Sequence, residues 1–396
     1  MLPLSSKIME KKAPITIAID IREAGQEKTG KGWYTYHLVH ELLKLDHHNH
    51  YELYTDSAKN PFATQNEANA PTKQTGAAPK NVTLKHIPAK GLKWHLNALK
   101  ELKAHPPDLF FAPTSYIIPS LAPKTLKVVI TVHDLVAFLY PQNHNLKAVV
   151  IERLTLKKAV KKAASIFVVS QNTQKDLLER FRYPVEQIQT VSCAPSDFYK
   201  EPVSAHELAQ FQEKFQLPQN FILAVGTLEP RKNFSNLIKS FVIIKRKCPD
   251  YKLVIVGKKG WKYKQIEDTL KKYQLEKEVI FPGYLSDEDL KKVYTLATVF
   301  VFPSLYEGFG IPPLEAMSCG CPVVSSNVAS LPEVIGDAGI LVDPKNAHKM
   351  ADSVVTLIEN DQIRSMLIER GKRRAEKFNW HESAKTALEA FEKLVR

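Results

Sequence analysis

The stretch FILAVGTLEPRKNFSNLIKSFVIIKRK, residues 221–247, contains the strand, turn and helix that decide the fold class. FILAVG is a short apolar run, typical of a strand that is buried on both faces of a parallel sheet. FSNLIKSFVIIKRK has apolar residues at helical spacing, and the intervening GTLEPRKN has the composition of a turn. A strand that leads directly into a helix is the repeating unit of α/β proteins.

The same alternation runs along the rest of the chain and predicts two series of parallel strands. The first series is ITIAIDI (15–21), LKVVITVHDL (126–135), SIFVVS (165–170) and IQTVS (188–192). The second series continues from FILAVG with KLVIVG (252–257), VIFPG (279–283), TVFVFPS (298–304) and CPVVSS (321–326). The segment from Asn60 to Lys80 has no periodicity and is predicted to be a long surface loop.

Two domains are predicted, because 396 residues exceed what one hydrophobic core usually serves. The junction is expected within about 195–218, between the two strand series. We therefore predict an N-terminal α/β domain over residues 1–199 and a C-terminal α/β domain over residues 200–381. In such sheets ligands bind outside the carboxyl ends of the strands, so functional residues are expected in the turns that follow strands.

Composition and charge narrow the location and the partners. MLPLSSKIMEKK lacks a signal-peptide core, and four cysteines are too few for a disulfide framework, so reduced thiols and a cytoplasmic location are expected. Residues 1–200 contain 27 Lys and Arg against 17 Asp and Glu, a net charge of +10 out of the total of +13. This asymmetry indicates an acidic partner (nucleic acid, an anionic membrane surface or a phosphorylated acceptor) or simply a basic surface.

The stretch EGFGIPPLE, residues 307–315, combines groups that suit both phosphate and sugar. Gly308 and Gly310 allow a tight turn, and Pro312 and Pro313 suit the first turn of a helix, where N–H groups are available to a phosphate. Glu307 and Glu315 are hydrogen-bond acceptors that suit the hydroxyl groups of sugars. The combination predicts a site for a nucleotide-sugar.

Arg231 and Lys232 lie in the turn between a strand and a helix, where cations and helix N–H groups can converge on one phosphate. An exposed Arg-Lys pair is the structural alternative. The position in the first turn of the second domain favours the phosphate interpretation.

Other motifs have simpler structural interpretations. Asp287-Glu288-Asp289 is formally an Asp-x-Asp, which can bind a metal, but it follows Ser286 and is predicted to form the capped first turn of a helix. Ser330 and Glu333 are predicted to form a capping box. DHHNH (46–50) is interpreted as a polar helix end, and Cys319 and Cys321 as small buried residues, so no metal site is predicted.

Four motifs in order along the chain resemble glycosyltransferase family 4, whose members are retaining enzymes of GT-B fold. These are TGKGWYTYHLVHEL together with TVHDLVAFLYP, GTLEPRKN, FPSLYEGFGIPPLEAMSCGCPVVSS and LPEVIGDAGILVDP, and the resemblance covers nearly the whole chain. Glu307 and Glu315 match the Glu-x7-Glu element of that family. The resemblance implies two Rossmann-like domains that face each other across a cleft, and a C-terminal helix of about 382–396 that returns to the first domain.

The resemblance also implies roles for individual residues. Glu315 would hold the ribose hydroxyls of the donor and Glu307 those of the transferred hexose, while Lys232 and Arg231 would neutralise the diphosphate. His133 would face the donor sugar across the cleft. The remaining donor-binding residues would be Gly308, Phe309, Gly310, Ile311, Gly226, Thr227, Tyr284, Leu285, Gly30 and Gly32.

For some of these residues, the resemblance implies which part of the substrate they contact. Gly30 and Gly32 match a glycine loop over the donor or acceptor, and base recognition is expected near Tyr284 and Leu285. Many relatives have an arginine where this chain has Thr227, so the diphosphate charge is expected to fall on Arg231 and Lys232, with their relative weight undecided. The resemblance implies catalysis without a metal or other cofactor, and no protein nucleophile is nominated.

We therefore predict an enzyme that transfers a hexose, with mannose as the option the motifs favour, from a GDP- or UDP-sugar to a saccharide or lipid-linked acceptor in polysaccharide assembly. A sugar-nucleotide epimerase of the same fold and a non-catalytic nucleotide-sugar-binding protein are the alternatives. The basic helix predicted over residues 146–165 is either a solvated face or a peripheral contact with the inner face of an anionic membrane. No nucleic-acid partner is predicted, because no aromatic-basic stacking surface is evident in the sequence.

Overall fold

The computed structural model describes residues 13–25, 30–62, 81–141 and 146–396, with no side-chain description for residues 146–148. Two parallel sheets alternate with helices, which confirms the predicted α/β architecture. Most of the loop predicted for Asn60 to Lys80 lies outside the described residues.

The first sheet has seven strands in the order β3-β2-β1-β4-β5-β6-β7. Its strands are β1 (Thr16–Asp20), β2 (His50–Thr55), β3 (Val82–His86), β4 (Leu109–Ala112), β5 (Lys127–Val132), β6 (Ser165–Val168) and β7 (Ile188–Thr190). β1 pairs in parallel with β2 on one side and with β4 on the other. Strands β2, β3 and β4 were not among the predicted segments.

The second sheet has six strands in the order β10-β9-β8-β11-β12-β13. Its strands are β8 (Phe221–Val225), β9 (Lys252–Val256), β10 (Val279–Gly283), β11 (Val299–Phe302), β12 (Val323–Ser326) and β13 (Ile340–Val342). Every residue of β8 and of β11 is buried, as expected for central parallel strands covered by helices on both faces. Because β8 and β11 are paired neighbours, their carboxyl ends lie side by side.

Fifteen helices are described, and most of them connect consecutive strands. They are α1 (Gly30–Leu45), α2 (Gly91–Ala104), α3 (Ile117–Leu121), α4 (Val136–Leu139), α5 (Leu146–Lys162), α6 (Gln171–Arg180), α7 (Ala205–Lys214), α8 (Phe234–Lys247), α9 (Lys264–Tyr273), α10 (Asp287–Leu296), α11 (Ile311–Ser318), α12 (Leu331–Ile335), α13 (Ala347–Glu359), α14 (Asp361–Glu376) and α15 (Trp380–Val395). None of the described helices combines the length and apolar character needed to cross a membrane.

Packing divides the chain into two compact units. The first unit comprises Met1–Ile130, Lys158–Ile166 and Ala384–Arg396, and the second comprises Thr131–Lys157 and Phe167–Ser383. The end of α15 packs in the first unit, where the Phe391 ring lies 5.3 Å from that of Phe111. The Lys127 ammonium donates to the Leu394 carbonyl oxygen at 2.8 Å.

Local sequence explains the start of α10. The Ser286 hydroxyl accepts a hydrogen bond from the Asp289 backbone N–H, and three acidic residues occupy the first turn. The predicted capping interpretation is therefore confirmed for Ser286. Carboxylates in the first turn also interact favourably with the helix dipole.

Candidate functional site

The candidate site lies in the second unit, where the chain leaves the adjacent strands β8 and β11. After β8, residues Pro230–Lys232 form a short 3-10 turn before α8 begins at Phe234. After β11, the chain passes through Glu307 and Gly310 before α11 begins at Ile311. The two turns therefore meet at the edge of the sheet where ligands of α/β proteins bind.

A three-residue ion cluster joins the two turns. The Arg231 guanidinium donates to Glu307 Oε2 at 2.7 Å, and the Lys232 ammonium donates to Glu307 Oε1 at 2.6 Å. Arg231 also donates to the Tyr306 carbonyl oxygen at 3.0 Å and to Glu229 Oε1 at 2.8 Å. The structure thus brings Arg231 and Lys232 together with Glu307, which lies 76 and 75 positions further along the sequence.

The cluster is largely buried, and its charges act strongly on one another. Burial opposes ionisation of Glu307, but the cations of Arg231 and Lys232 outweigh it and lower the pKa of this carboxyl to about 2. Burial lowers the pKa of Lys232, and Glu307 counteracts that effect. With Glu229 included, the cluster contains two basic and two acidic side chains.

Glu315 has a different environment one helical turn into α11. The Tyr294 hydroxyl donates to Glu315 Oε2 at 3.1 Å. Burial raises the pKa of Glu315 to about 7, with a smaller contribution from Asp287, although the Tyr294 hydrogen bond opposes the rise. The two carboxylates of EGFGIPPLE are therefore separated in pKa by their surroundings, and Glu315 can exchange a proton near neutral pH.

Hydroxyl groups from other elements fix the backbone between the two carboxylates. The Ser330 hydroxyl lies 2.9 Å from the Glu307 carbonyl oxygen and 2.7 Å from that of Phe309. The Ser170 hydroxyl donates to the Gly308 carbonyl oxygen at 2.6 Å, and Thr173 contacts the same oxygen at 3.2 Å. Ser170 and Thr173 were not among the predicted site residues, and Ser330 was predicted only as part of a capping box.

Gly308 lies against the backbone of His133, so the structure places these two predicted residues together. A Cβ atom at position 308 would lie 1.8 Å from the His133 carbonyl oxygen, which excludes any other residue. His133 itself is 7% exposed. The Phe309 ring packs edge-on against Phe378, with centroids 5.4 Å apart, so this residue can offer a ligand only its backbone.

Gly310 sets the direction of α11. It has a φ of 109°, which other residues rarely adopt, and it precedes a helix that begins Ile311-Pro312-Pro313. The prolines lack N–H groups, so the free donors at this helix start are those of Gly310, Ile311 and their predecessors. The use of backbone N–H groups from Gly308 to Ile311 by a ligand stays a prediction.

The remaining predicted residues of the second unit surround the same sheet edge. Gly226 follows β8, and its N–H donates to the Val256 carbonyl oxygen at 2.9 Å. The side chain of Thr227 is exposed. Tyr284 follows β10 and is 57% exposed, whereas Leu285 is buried.

An aromatic-basic surface lies beside Tyr284, contrary to the sequence-based interpretation. Lysine ammonium groups lie over exposed rings, with Lys258 at 4.6 Å from the Tyr284 ring and Lys262 at 4.4 Å from the Trp261 ring. The loop GKKGWKYK (257–264) contains both lysines and aromatic residues. The sequence does not show that this loop lies beside Tyr284, which follows a different strand. The absence of a nucleic-acid partner stays a prediction.

Gly30 and Gly32 do not form a loop among the described residues. Gly30 begins α1 and Gly32 is buried within its first turn. Neither glycine has the positive φ that a glycine loop would use. The predicted loop conformation is therefore wrong, and both residues belong to the first unit.

The predicted capping box of Ser330 and Glu333 is also wrong. The Ser330 hydroxyl makes no cap on α12, because it is engaged with the carbonyls of Glu307 and Phe309. Glu333 instead accepts hydrogen bonds from the backbone N–H groups of Gln171 and Asn172, at the start of α6.

Within the described ranges, no group of three His, Cys, Asp or Glu side chains could hold a metal ion.

Comparison with known families matches both halves of the chain. The family described as "Glycosyl transferases group 1" matches residues 206–374, which include the ion cluster. The family described as "Glycosyltransferase Family 4" matches residues 29–194.

Similar proteins with assigned names include mannosyltransferases. O-antigen chain mannosyltransferase B of Escherichia coli is 33% identical over 303 residues, which cover 76% of this chain and 77% of that protein. The serotype-specific mannosyltransferase WbdA of Escherichia coli is 31% identical over 68% of this chain, but the match spans 34% of that longer protein. Among solved structures, Anabaena HepE in complex with UDP-glucose has a TM-score of 0.74 at 17% identity, covering 96% of this chain and 100% of that one. This likeness shows the shared GT-B fold.

Proposed function

The chain belongs to the group 1 and family 4 glycosyltransferases, and from this premise we propose that it transfers mannose from a nucleotide diphosphate sugar to a saccharide acceptor. Transfer of a glycosyl group follows from family membership. The observation that carries the choice of sugar and pathway is the 33% identity with an O-antigen chain mannosyltransferase over 303 residues. We place the reaction in polysaccharide assembly on the same ground.

The ion cluster suits the chemistry of the donor. We propose that Lys232 and Arg231 stabilise the negative charge that develops on the departing diphosphate, and that Glu307 holds hydroxyl groups of the moving hexose. The backbone N–H groups from Gly308 to Ile311 add fixed dipoles at the same place. Two fixed cations can supply the charge neutralisation that other transferases obtain from a metal, so we propose metal-independent transfer.

The proposed transfer retains the configuration of the sugar carbon. The bond from this carbon to the diphosphate oxygen breaks as a bond to the acceptor hydroxyl oxygen forms on the same face. The acceptor proton passes to the departing diphosphate. His133, whose carbonyl adjoins Gly308, completes the proposed sugar site. We propose that residues 200–381 bind the donor and residues 1–199 bind the acceptor.

The raised pKa of Glu315 predicts that donor binding depends on pH. We propose that its ionised carboxylate accepts hydrogen bonds from the ribose hydroxyls, while its pKa of about 7 leaves it half protonated near neutral pH in the free enzyme. Binding should therefore release a proton, and affinity should rise as pH increases through 7. A carboxyl that must lose a proton gives about tenfold weaker binding at pH 6 than at pH 8.

Isothermal titration with an intact nucleotide-sugar at pH 6, 7 and 8 checks this expectation, because this ligand has no terminal phosphate that titrates in the same range. Glu315→Gln keeps an acceptor for Tyr294 and should bind more weakly with little pH dependence. Wild-type affinity that is independent of pH would contradict the role of Glu315. Parallel titrations with UDP-, GDP- and ADP-sugars identify the base, and sugar isomerisation without transfer would reveal an epimerase instead.

We further propose that α5 contacts an anionic membrane surface, where a lipid-linked acceptor would be presented. Val150, Ile151 and Leu154 are 55%, 46% and 61% exposed. Lys157 and Lys161 are exposed and continue the face of Val150 and Leu154 at helical spacing. Apolar residues followed by lysines on one face match an anionic interface.

Co-sedimentation with vesicles checks this proposal. The wild type should bind vesicles that contain anionic lipid, and binding should decrease with salt and in Lys157→Gln/Lys161→Gln or Leu154→Ser variants. Val185→Ser changes an apolar residue of similar exposure, 54%, and should leave binding unchanged. Binding that does not depend on anionic lipid would refute the membrane contact.

A further inference from the structure

A second group of buried polar residues lies in the first unit, at the end of β1. β2 lies on one side of β1 and β4 on the other. The strands that follow β1 are therefore added first on one side of it (β2, β3) and then on the opposite side (β4 onward). Such a reversal opens a crevice at the carboxyl ends of the two central strands, and ligands of open α/β sheets bind there. Asp20 is the last residue of β1 and stands at this reversal.

Asp20 and Arg22 form a two-point ion pair at this position. Arg22 Nη2 donates to Asp20 Oδ2 at 2.7 Å, and Arg22 Nε donates to Asp20 Oδ1 at 2.9 Å. The guanidinium carbon lies 3.8 Å from the centre of the Trp94 ring, and Nη1 lies 3.4 Å from His95 Nε2. The Asp20 side chain is 2% exposed and that of Arg22 16%, so Arg22 is the member of the pair that reaches solvent.

Two buried polar atoms beside the pair have no hydrogen-bond partner among the described residues: Trp94 Nε1 and His95 Nδ1. Trp94 is fully buried and His95 is 5% exposed. An unsatisfied buried polar atom destabilises a fold, so stability alone gives no reason to keep these groups here. Each unsatisfied buried polar group in a native protein calls for an explanation, and a functional role is one of them.

The charges around Arg22 define the ligand it can accept. Burial opposes the charge of Arg22, but Asp20 outweighs it, and Asp56 and Glu23 add to the rise in the pKa of the guanidinium. Burial, with a contribution from Arg22, lowers the pKa of His95 to about 4, so its ring is neutral at physiological pH. A phosphate would meet three carboxylates here, whereas neutral hydroxyl groups would meet no repulsion.

We propose that Arg22 holds hydroxyl oxygens of the acceptor saccharide, and that Asp20, Trp94 and His95 position its guanidinium. A guanidinium has five N–H donors; contacts with the described residues use three, which leaves two for ligand oxygens. This inference rests on the proposed transfer function and names the acceptor side of it. Nothing in the donor site of the second unit depends on it.

Arg22→Lys tests the inference, because lysine keeps the charge but loses the planar fork. With a fluorescent α-mannobioside as acceptor and GDP-mannose as donor, we expect the KM for the acceptor to rise at least tenfold. Donor affinity by calorimetry and slow donor hydrolysis should stay within twofold of the wild type, which a general loss of structure would not allow. Arg182→Lys, at an exposed arginine, is the matched control.

His95→Leu provides a second variant, since it leaves the Asp20–Arg22 pair in place and removes only the contact at Nη1. We expect the acceptor KM to rise about threefold, while donor affinity and donor hydrolysis again stay within twofold of the wild type. An unchanged acceptor KM in a folded Arg22→Lys or His95→Leu variant overturns the inference. So does competition by inorganic phosphate that disappears in Arg22→Lys. A wild type that transfers to no saccharide refutes the proposed function instead.

Discussion

Replacing Lys232 with methionine should lower the turnover number about 10²–10³-fold, the usual effect of removing one preorganised group that stabilises a developing negative charge. Methionine has a similar length and no charge, so packing near the Phe302 ring, 4.9 Å from the ammonium, should be largely preserved. Steady-state kinetics with a nucleotide-sugar and a saccharide acceptor give the comparison.

The structure also predicts that Lys232 matters more than Arg231, a point that the sequence leaves open. Both terminal nitrogens of Arg231 already donate, to Glu307, to the Tyr306 carbonyl and to Glu229. The Lys232 ammonium donates to Glu307 and has three N–H groups in all. Lys239→Met, at an exposed lysine of α8, should leave turnover unchanged. Near-normal turnover of Lys232→Met would contradict its role at the diphosphate.

Glu307→Gln should have the second large effect, on stability as well as on turnover. Glutamine removes the charge that both Arg231 and Lys232 contact within 2.7 Å, and breaking a buried ion pair costs about 3–5 kcal/mol. Turnover should also fall, by about 10²-fold or more, because a contact to the sugar is lost. Urea unfolding and initial rates measure the two effects separately.

The pH dependence of stability provides a second test of the ion pairs that Glu307→Gln removes. The pKa of Glu307 in the folded protein is about 2, below its ordinary value of 4.5. A lowered carboxyl pKa stabilises the fold above pH 4.5, and that stabilisation is lost as pH falls through 2. The difference between wild type and Glu307→Gln should therefore be full at pH 7 and shrink in acid. Glu288→Gln, at an exposed residue of α10, is the control, and equal stability of wild type and Glu307→Gln at pH 7 would contradict the coupling.

The sequence predicts those parts of the fold that depend on local pattern. Apolar runs such as FILAVG and TVFVFPS predict the central strands, because parallel strands covered on both faces need continuous apolar residues. The apolar pattern does not reveal β3, since VTLKH is partly exposed along its whole length. β4 is fully buried and apolar like the predicted strands, so its omission was not forced by the pattern.

The candidate site is predictable only where one motif contains the chemistry. Glu307 and Glu315 can be read from the sequence, but their separation in pKa cannot, since it arises from the cations of Arg231 and Lys232 beside Glu307 and from the burial of Glu315. Likewise, Ser330 and Glu333 have the spacing of a capping box, yet both side chains bond to distant backbone groups. Local spacing predicts local bonds, and tertiary contacts replaced them here.

The most direct test of the central proposal is the configuration of the newly formed linkage. Wild-type protein is incubated with GDP-mannose, in which the sugar is α-linked, and a saccharide acceptor, and the product is analysed by the one-bond carbon–proton coupling at the anomeric centre. We expect an α-linked mannoside, formed by the wild type and strongly reduced in Lys232→Met. A β-linked product, or no product with any nucleotide-sugar that binds, would contradict retaining transfer at the Arg231–Lys232–Glu307 site.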